Sequence, residues 1–166
     1  MMFLYILTIL VSNIGAVLLP SVELGALIIP PSSYFFGFTF IISNLIQDKY
    51  GAERSKHAIL YGLGVSLVMF MLLKFSVSIV IASGVAFYIS QYCATVLYSR
   101  VKDTWKNANL KTSLIGSVID VTIFLTLGLS PLGIGKIAWS GLFMAIVGQL
   151  LVQCTIQFIA SRAINK

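Results

Sequence analysis

The stretch AILYGLGVSLVMFMLLKFSVSIVIASGVAFYISQYCATVLY, residues 58–98, holds a single charge, Lys74, in an otherwise apolar run. As one helix it would be about 60 Å long, roughly twice the hydrocarbon core of a bilayer. It must therefore fold back as two spans. The lone charge marks the place, a tight turn at residues 73–76, although no Gly or Pro stands there.

Further spans are found by reading outward from this pair. Towards the N-terminus lie span one (3–19), a connection (20–31) with Glu23 as its one charge, and span two (33–46), which ends at Gln47-Asp48-Lys49-Tyr50-Gly51. Pro30 and Pro31 suit the first turn of a helix, where a missing N–H costs nothing. The run 3–19 lacks a basic leader and a small-residue cleavage site, so it reads as a retained span. Residues 52–57, with the single His57, read as a polar loop. Towards the C-terminus follow a basic loop (99–111), span five (112–129), the turn Ser130-Pro131-Leu132-Gly133-Ile134-Gly135 and span six (137–161). The expected fold is all-α: six transmembrane helices in one bundle, a single transmembrane domain over residues 1–166.

Composition agrees. Hydrophobic residues make up 58% of the 166 positions and charged residues 10%, against about 25% charged in a soluble domain. Six passes of roughly 20 residues leave only short loops, with no room for a separate catalytic or nucleic-acid-binding domain. The net charge of +6 is explained by placement. Lys49, Arg54, Lys56, Arg100, Lys102, Lys106, Lys111, Arg162 and Lys166 follow spans two, four and six, whereas only Lys74 and Lys136 fall on the other side. Basic residues favour the cytoplasmic face, so both termini are expected there and nucleic acid is not expected as a partner. Cys93 and Cys154 lie in apolar runs without metal-ligand spacing and read as buried small hydrophobes.

Polar residues inside the spans carry the functional reading. A charged Asp at the centre of a spanning helix costs about 2.5–3.5 kcal/mol on insertion scales. Asp120 sits in the middle of span five, and Ser113, Ser117, Asp120 and Phe124 share one helical face. That face must look inward, either to hold helices together or to meet a substrate or ion. Gln149, Gln153 and Gln157 form an amide stripe on span six, beside the small residues Gly141, Ala145 and Gly148. Amides and small residues also serve helix association, so both readings stand. Asn13, Asn44 and Gln91 each place an amide in another span. Five helices contributing Asn, Gln or Asp resemble the lining of a polar site. No nucleophile–base pair, HExxH or phosphate-binding glycine loop is present, so neither an enzyme nor a bound cofactor or metal is expected. Gln91-Tyr92-Cys93 before Ser99-Arg100 echoes Gln153-Cys154 before Ser161-Arg162 at the same spacing.

Val11-Ser12-Asn13, the Pro-rich entry to span two, and Ile42-Ser43-Asn44-Leu45-Ile46-Gln47-Asp48-Lys49-Tyr50-Gly51 with Arg54 resemble the queuosine-precursor transporters, also called the vitamin-uptake transporter (VUT) family. So do Ser117, Ile119-Asp120 and Phe124 within residues 113–124, Ala82-Ser83 followed by Gln91, and Gly148-Gln149; the resemblance spans nearly the whole chain. It implies a carrier in the bacterial inner membrane that imports 7-cyano-7-deazaguanine or a related 7-deazaguanine, a small purine-like molecule. Its adjacent N1–H and amino donors match a carboxylate, and its O6 an amide. The implied binding residues are Asp120, Asn13, Asn44, Gln91, Gln149, Ser117 and Phe124, with Phe40 or Phe87 as further stacking partners. The chain departs from the family in having Asn44 where relatives commonly have an acid. It has Ala94 and Gln153 where relatives often carry charges, and a shorter connection between spans three and four; these leave fewer groups for proton coupling.

Two other readings compete. A substrate-binding subunit of an energy-coupling-factor vitamin importer is also a six-helix protein of this size, and Thr8, Ser12 and Ala16 give an imperfect version of its small-residue docking face. A non-transporting membrane scaffold would bind no small molecule. The Gly and Ala faces of the spans also leave room for a homodimer.

Overall fold

The structure is a computed structural model, which describes residues 1–18, 22–24, 27–29 and 32–164. It is an all-α bundle of six helices: α1 Met2–Leu18, α2 Ser32–Tyr50, α3 Ala52–Leu72, α4 Val77–Arg100, α5 Trp105–Phe124 and α6 Trp139–Ala163. A π-helical turn, Leu125–Leu129, prolongs α5. Between α1 and α2 lies a short antiparallel hairpin, β1 Val22–Leu24 with β2 Leu27–Ile29, in the register Val22↔Ile29 and Leu24↔Leu27. The six-helix reading had this segment as a plain connection. Pro30 and Pro31 lie outside the described residues.

Among the described residues, α3, α4, α5 with its π turn, and α6 are long and apolar enough to cross a membrane, and residues 2–15 form a shorter apolar helix. Phe3, Leu18, Met71, Leu72, Val77 and Phe143 are exposed on the outside, while Ser, Thr, Asn and Gln fill much of the inside. This inverted distribution suits a lipid surround, and the chain is a membrane protein. The polar side chains of α2 are explained by position: it packs against all five other helices, and its outward face is reduced to a few apolar residues such as the exposed Phe38.

The turn at residues 73–76 forms as expected. Lys74 takes a left-handed backbone (φ 55°), Lys74 N–H donates to the Met71 carbonyl and Phe75 N–H to the Phe70 carbonyl. This is a Schellman helix ending, with lysine where glycine is usual. Its apolar clasp is the Phe70–Phe75 pair, edge to face with ring centroids 5.1 Å apart. Ser76 then caps α4, its Oγ accepting from Ile79 N–H at 3.4 Å.

Other boundaries differ from the sequence reading. Residues 52–57 are the first turns of α3 and not a loop: Gly51, at φ 87°, turns the chain so sharply that it alone separates α2 from α3. His57 is therefore helical, its Nδ1 2.7 Å from the Glu53 carbonyl. The basic loop shrinks to residues 101–104, because α5 starts at Trp105 and not at 112, and α2 continues to Tyr50 past the expected end at 46. In each case charged residues sit on helical turns that outrun the apolar run. Cys93 and Cys154 are half-buried and free, so neither is the buried hydrophobe expected.

Two glycines set the closest helix approaches. At Gly116 a Cβ would collide with the Phe40 ring, so this glycine seats α2 on α5; at Gly62 a Cβ would meet Ile9 and Tyr5 of α1 at 2.6 and 3.0 Å. Tyr5, Ile9, Ile42, Ile46, Ala58, Ile59 and Phe87 form one apolar cluster, and Val121, Leu125, Ile137 and Ala145 another.

Candidate functional site

Near the α3–α4 turn the bundle encloses a cavity lined by Ser12 and Asn13 of α1, Phe36 of α2, Phe70 and Phe75 at the turn, Ile79, Ser83 and Ala86 of α4, Asp120 and Phe124 of α5, and Gln149 of α6. About 60 Å³ of it is open to the centres of water molecules, so it holds more than a single water and admits a small guest.

Its polar groups are few and asymmetric. Asp120 is 5% exposed, and one carboxylate oxygen accepts a long hydrogen bond, 3.4 Å, from Ser90 Oγ. Asn13 Nδ2 donates to Ser66 Oγ at 3.0 Å, which leaves its second N–H and its oxygen for a guest. Gln149 Oε1 is buried and has no partner among the described residues. One carboxylate and two amides thus border one space. The aromatic wall is held from behind, since Phe36 packs edge to face on Phe40 and Phe87, with centroids 6.4 and 5.8 Å apart.

Four of the expected site residues, Asn13, Asp120, Phe124 and Gln149, come together in this lining. The other three lie deeper, towards the α2–α3 corner, and are engaged with protein. Asn44 Nδ2 donates to Asn109 Oδ1, Thr112 Oγ1 and Ser113 Oγ at 2.8, 3.0 and 3.3 Å. Gln91 Nε2 donates to Thr39 Oγ1 at 2.8 Å, and Ser117 Oγ accepts from Gln157 Nε2 at 2.7 Å. Of the proposed stacking rings, Phe40 sits on Gly116 and Phe87 in the apolar cluster. Sequence reasoning passed over Phe36, Phe70 and Phe75 as ordinary members of apolar runs.

Below the cavity the polar side chains close on each other. Besides the Asn44 group, Ser43 and Ser55 meet at 3.0 Å, Ser55 and Thr95 at 3.4 Å, and Gln47 Nε2 donates to the Thr95 carbonyl and Ser99 Oγ at 2.9 and 2.7 Å. The two glutamines of the internal echo, Gln91 and Gln153, are both fully buried.

A family model described as "Putative vitamin uptake transporter" matches residues 71–164. The chain belongs to this vitamin uptake transporter family. The matched part includes α4, α5 and α6 and with them Ser83, Asp120, Phe124 and Gln149 of the lining; Asn13 and Phe36 lie outside it. No curated protein and no solved structure matches the chain. Membership makes an uptake transporter of the vitamin type the setting in which the cavity is to be understood.

Proposed function

We propose that the chain imports a queuosine precursor, 7-cyano-7-deazaguanine or a related 7-deazaguanine, and binds it in the Asp120 cavity. One observation carries the reading: a carboxylate and two amides border, with phenylalanine rings, a single cavity in the bundle. The guanine-like edge offers adjacent N–H donors that a carboxylate accepts together. Asn13 and Gln149 serve the rest of the perimeter, and Phe124 or Phe36 packs on the ring. Asn44, Gln91 and Ser117 act below the guest, closing the bundle through their own hydrogen bonds.

The host membrane is taken to be a bacterial inner membrane with both termini cytoplasmic, from the positions of Lys and Arg. In that orientation the cavity lies in the outer half and the paired amides seal the inner half. Uptake of radiolabelled 7-deazaguanine in a host unable to make queuosine tests the reading. Wild-type chain restores uptake, and Asp120→Ala removes it while the protein still inserts. Unchanged uptake by that variant rules out the assigned site.

A second reading has one observation in its favour. Leu4, Leu7, Thr8 and Val11 of α1 line an open apolar groove with residues of α2 and α6, a surface that a membrane subunit of an ATP-driven importer would cover. Reconstituted uptake by this chain alone, without ATP hydrolysis, excludes it.

A further inference from the structure

The lining holds one acid and no counter-charge. Among the described residues no Lys, Arg or His lines the cavity, and Asp120 is the one titratable side chain in it. From α1 come Ser12 and Asn13, from α2 Phe36, from α3 Phe70, from α4 Ile79, Ser83 and Ala86, and from α6 Gln149. Lys74 is next to Phe75 in sequence but is exposed and outside the lining.

An ionised carboxylate away from water is costly unless a cation or several donors meet it. A neutral guest meets the acid with N–H dipoles alone, or after the acid has taken up a proton. A cationic guest brings the missing charge itself. Two further features lean the same way. The amides of Asn13 and Gln149, both in the lining, can each turn an oxygen to an ammonium with three N–H groups. Phe36, Phe70, Phe75 and Phe124 supply ring quadrupoles, which attract cations at about 6 Å or less.

We propose that the cavity selects a guest carrying one positive charge, an amine-bearing heterocycle over its neutral counterpart, with Asp120 as counter-ion and the phenylalanine rings as cation-binding walls. The inference deepens the reading of the chain as a 7-deazaguanine importer and rests on it for the identity of the ring. Within that class it favours a 7-aminomethyl over a 7-cyano substituent.

Binding of the two 7-deazaguanines to purified wild-type chain, by thermal shift and calorimetry, tests this. The amine is expected to bind at least about tenfold tighter than the nitrile. Asp120→Asn, nearly isosteric, should bring the two within about threefold of each other, and Phe75→Leu should weaken the amine more than the nitrile. Titration of the wild type from pH 5.5 to 8 works even if Asp120→Asn fails to fold. Amine binding to an ionised carboxylate holds or strengthens as pH rises, whereas nitrile binding to a protonated one weakens. A nitrile that binds as tightly as the amine, an amine preference that survives Asp120→Asn, or amine binding that weakens with rising pH overturns the proposal. If neither deazaguanine binds, the substrate reading fails, and benzylamine against benzonitrile decides the charge selection alone. A stabilising shift from the amine, absent with the nitrile, upholds it; equal or absent shifts overturn it.

Discussion

Around Asn44, side chains from α2 and α5 close on one another at 2.8–3.3 Å. Around Asp120, the one hydrogen bond to the carboxylate among the described residues comes from Ser90 at 3.4 Å, and Gln149 Oε1 has no partner among them. Both groups are buried and both are built from the side chains that hold helices together in lipid. The difference is whether open space adjoins the group. The lower layer pairs donors from within and still leaves Asn44 Oδ1, Gln47 Oε1 and Gln91 Oε1 without a partner among the described residues, yet only the upper group borders the cavity. Adjoining space, more than polarity or unmet valence, separates a site from a clasp.

Substitutions should pull the two regions apart. The largest effect expected is from Asp120→Ala, which abolishes uptake in a transport assay while the melting temperature in detergent stays close to wild type. Gly116→Leu should act in the opposite manner: its side chain cannot share space with Phe40, so overpacking by about 3 kcal/mol or more lowers the yield of folded protein whatever the ligand. Asn44→Leu, in the lower layer, should cost about 1–2 kcal/mol by thermal melting, at roughly 0.6 kcal/mol or somewhat more per lost hydrogen bond, with the ligand's Kd unchanged. If Asn44→Leu weakens binding without loss of stability, the division between clasp and site is wrong. Lys74→Gly should stabilise by about 0.5–1 kcal/mol, since glycine takes the left-handed backbone without strain, and it leaves the Phe70–Phe75 pair in place.

The smallest effect lies outside the membrane. In the α4–α5 loop Asp103 accepts from Lys111 Nζ, Thr104 N–H and Asn107 Nδ2, which together hold its carboxyl down at about 2. A folded-state value below the ordinary ~4 stabilises above that pH and is lost as pH falls through about 2. Asp103→Asn should therefore lower the melting temperature slightly at pH 6, by less at pH 2 and not at all well below it.

The number of helices and the place of the Lys74 turn were legible because hydrocarbon thickness leaves few ways to lay out such an apolar chain. Helix ends were not. Glu53, Arg54 and Lys56, or Lys106 and Lys111, read as loop because they are charged, yet a helix has no need to stop where the apolar run stops. Asp120, Asn13 and Gln149 stood out as polar groups in apolar surroundings. Asn44, Gln91 and Ser117 looked the same, because sequence gives depth along a helix but not what the neighbouring helix offers in return. The phenylalanine wall gave little sign, except that Phe70 and Phe75 stand five apart across Lys74, the spacing of a Schellman clasp.

The solitary carboxylate of the cavity has an energetic corollary. If a cationic guest neutralises it, the loaded carrier crosses with no net interior charge while the empty one returns with one negative charge, and each cycle moves one positive charge inward. A potential of 100 mV, negative inside, is worth about 2.3 kcal/mol for that charge, enough to concentrate the guest roughly fifty-fold. Such a carrier would be a battery-driven uniporter, drawing its accumulating power from the membrane voltage with no sodium or proton gradient at all.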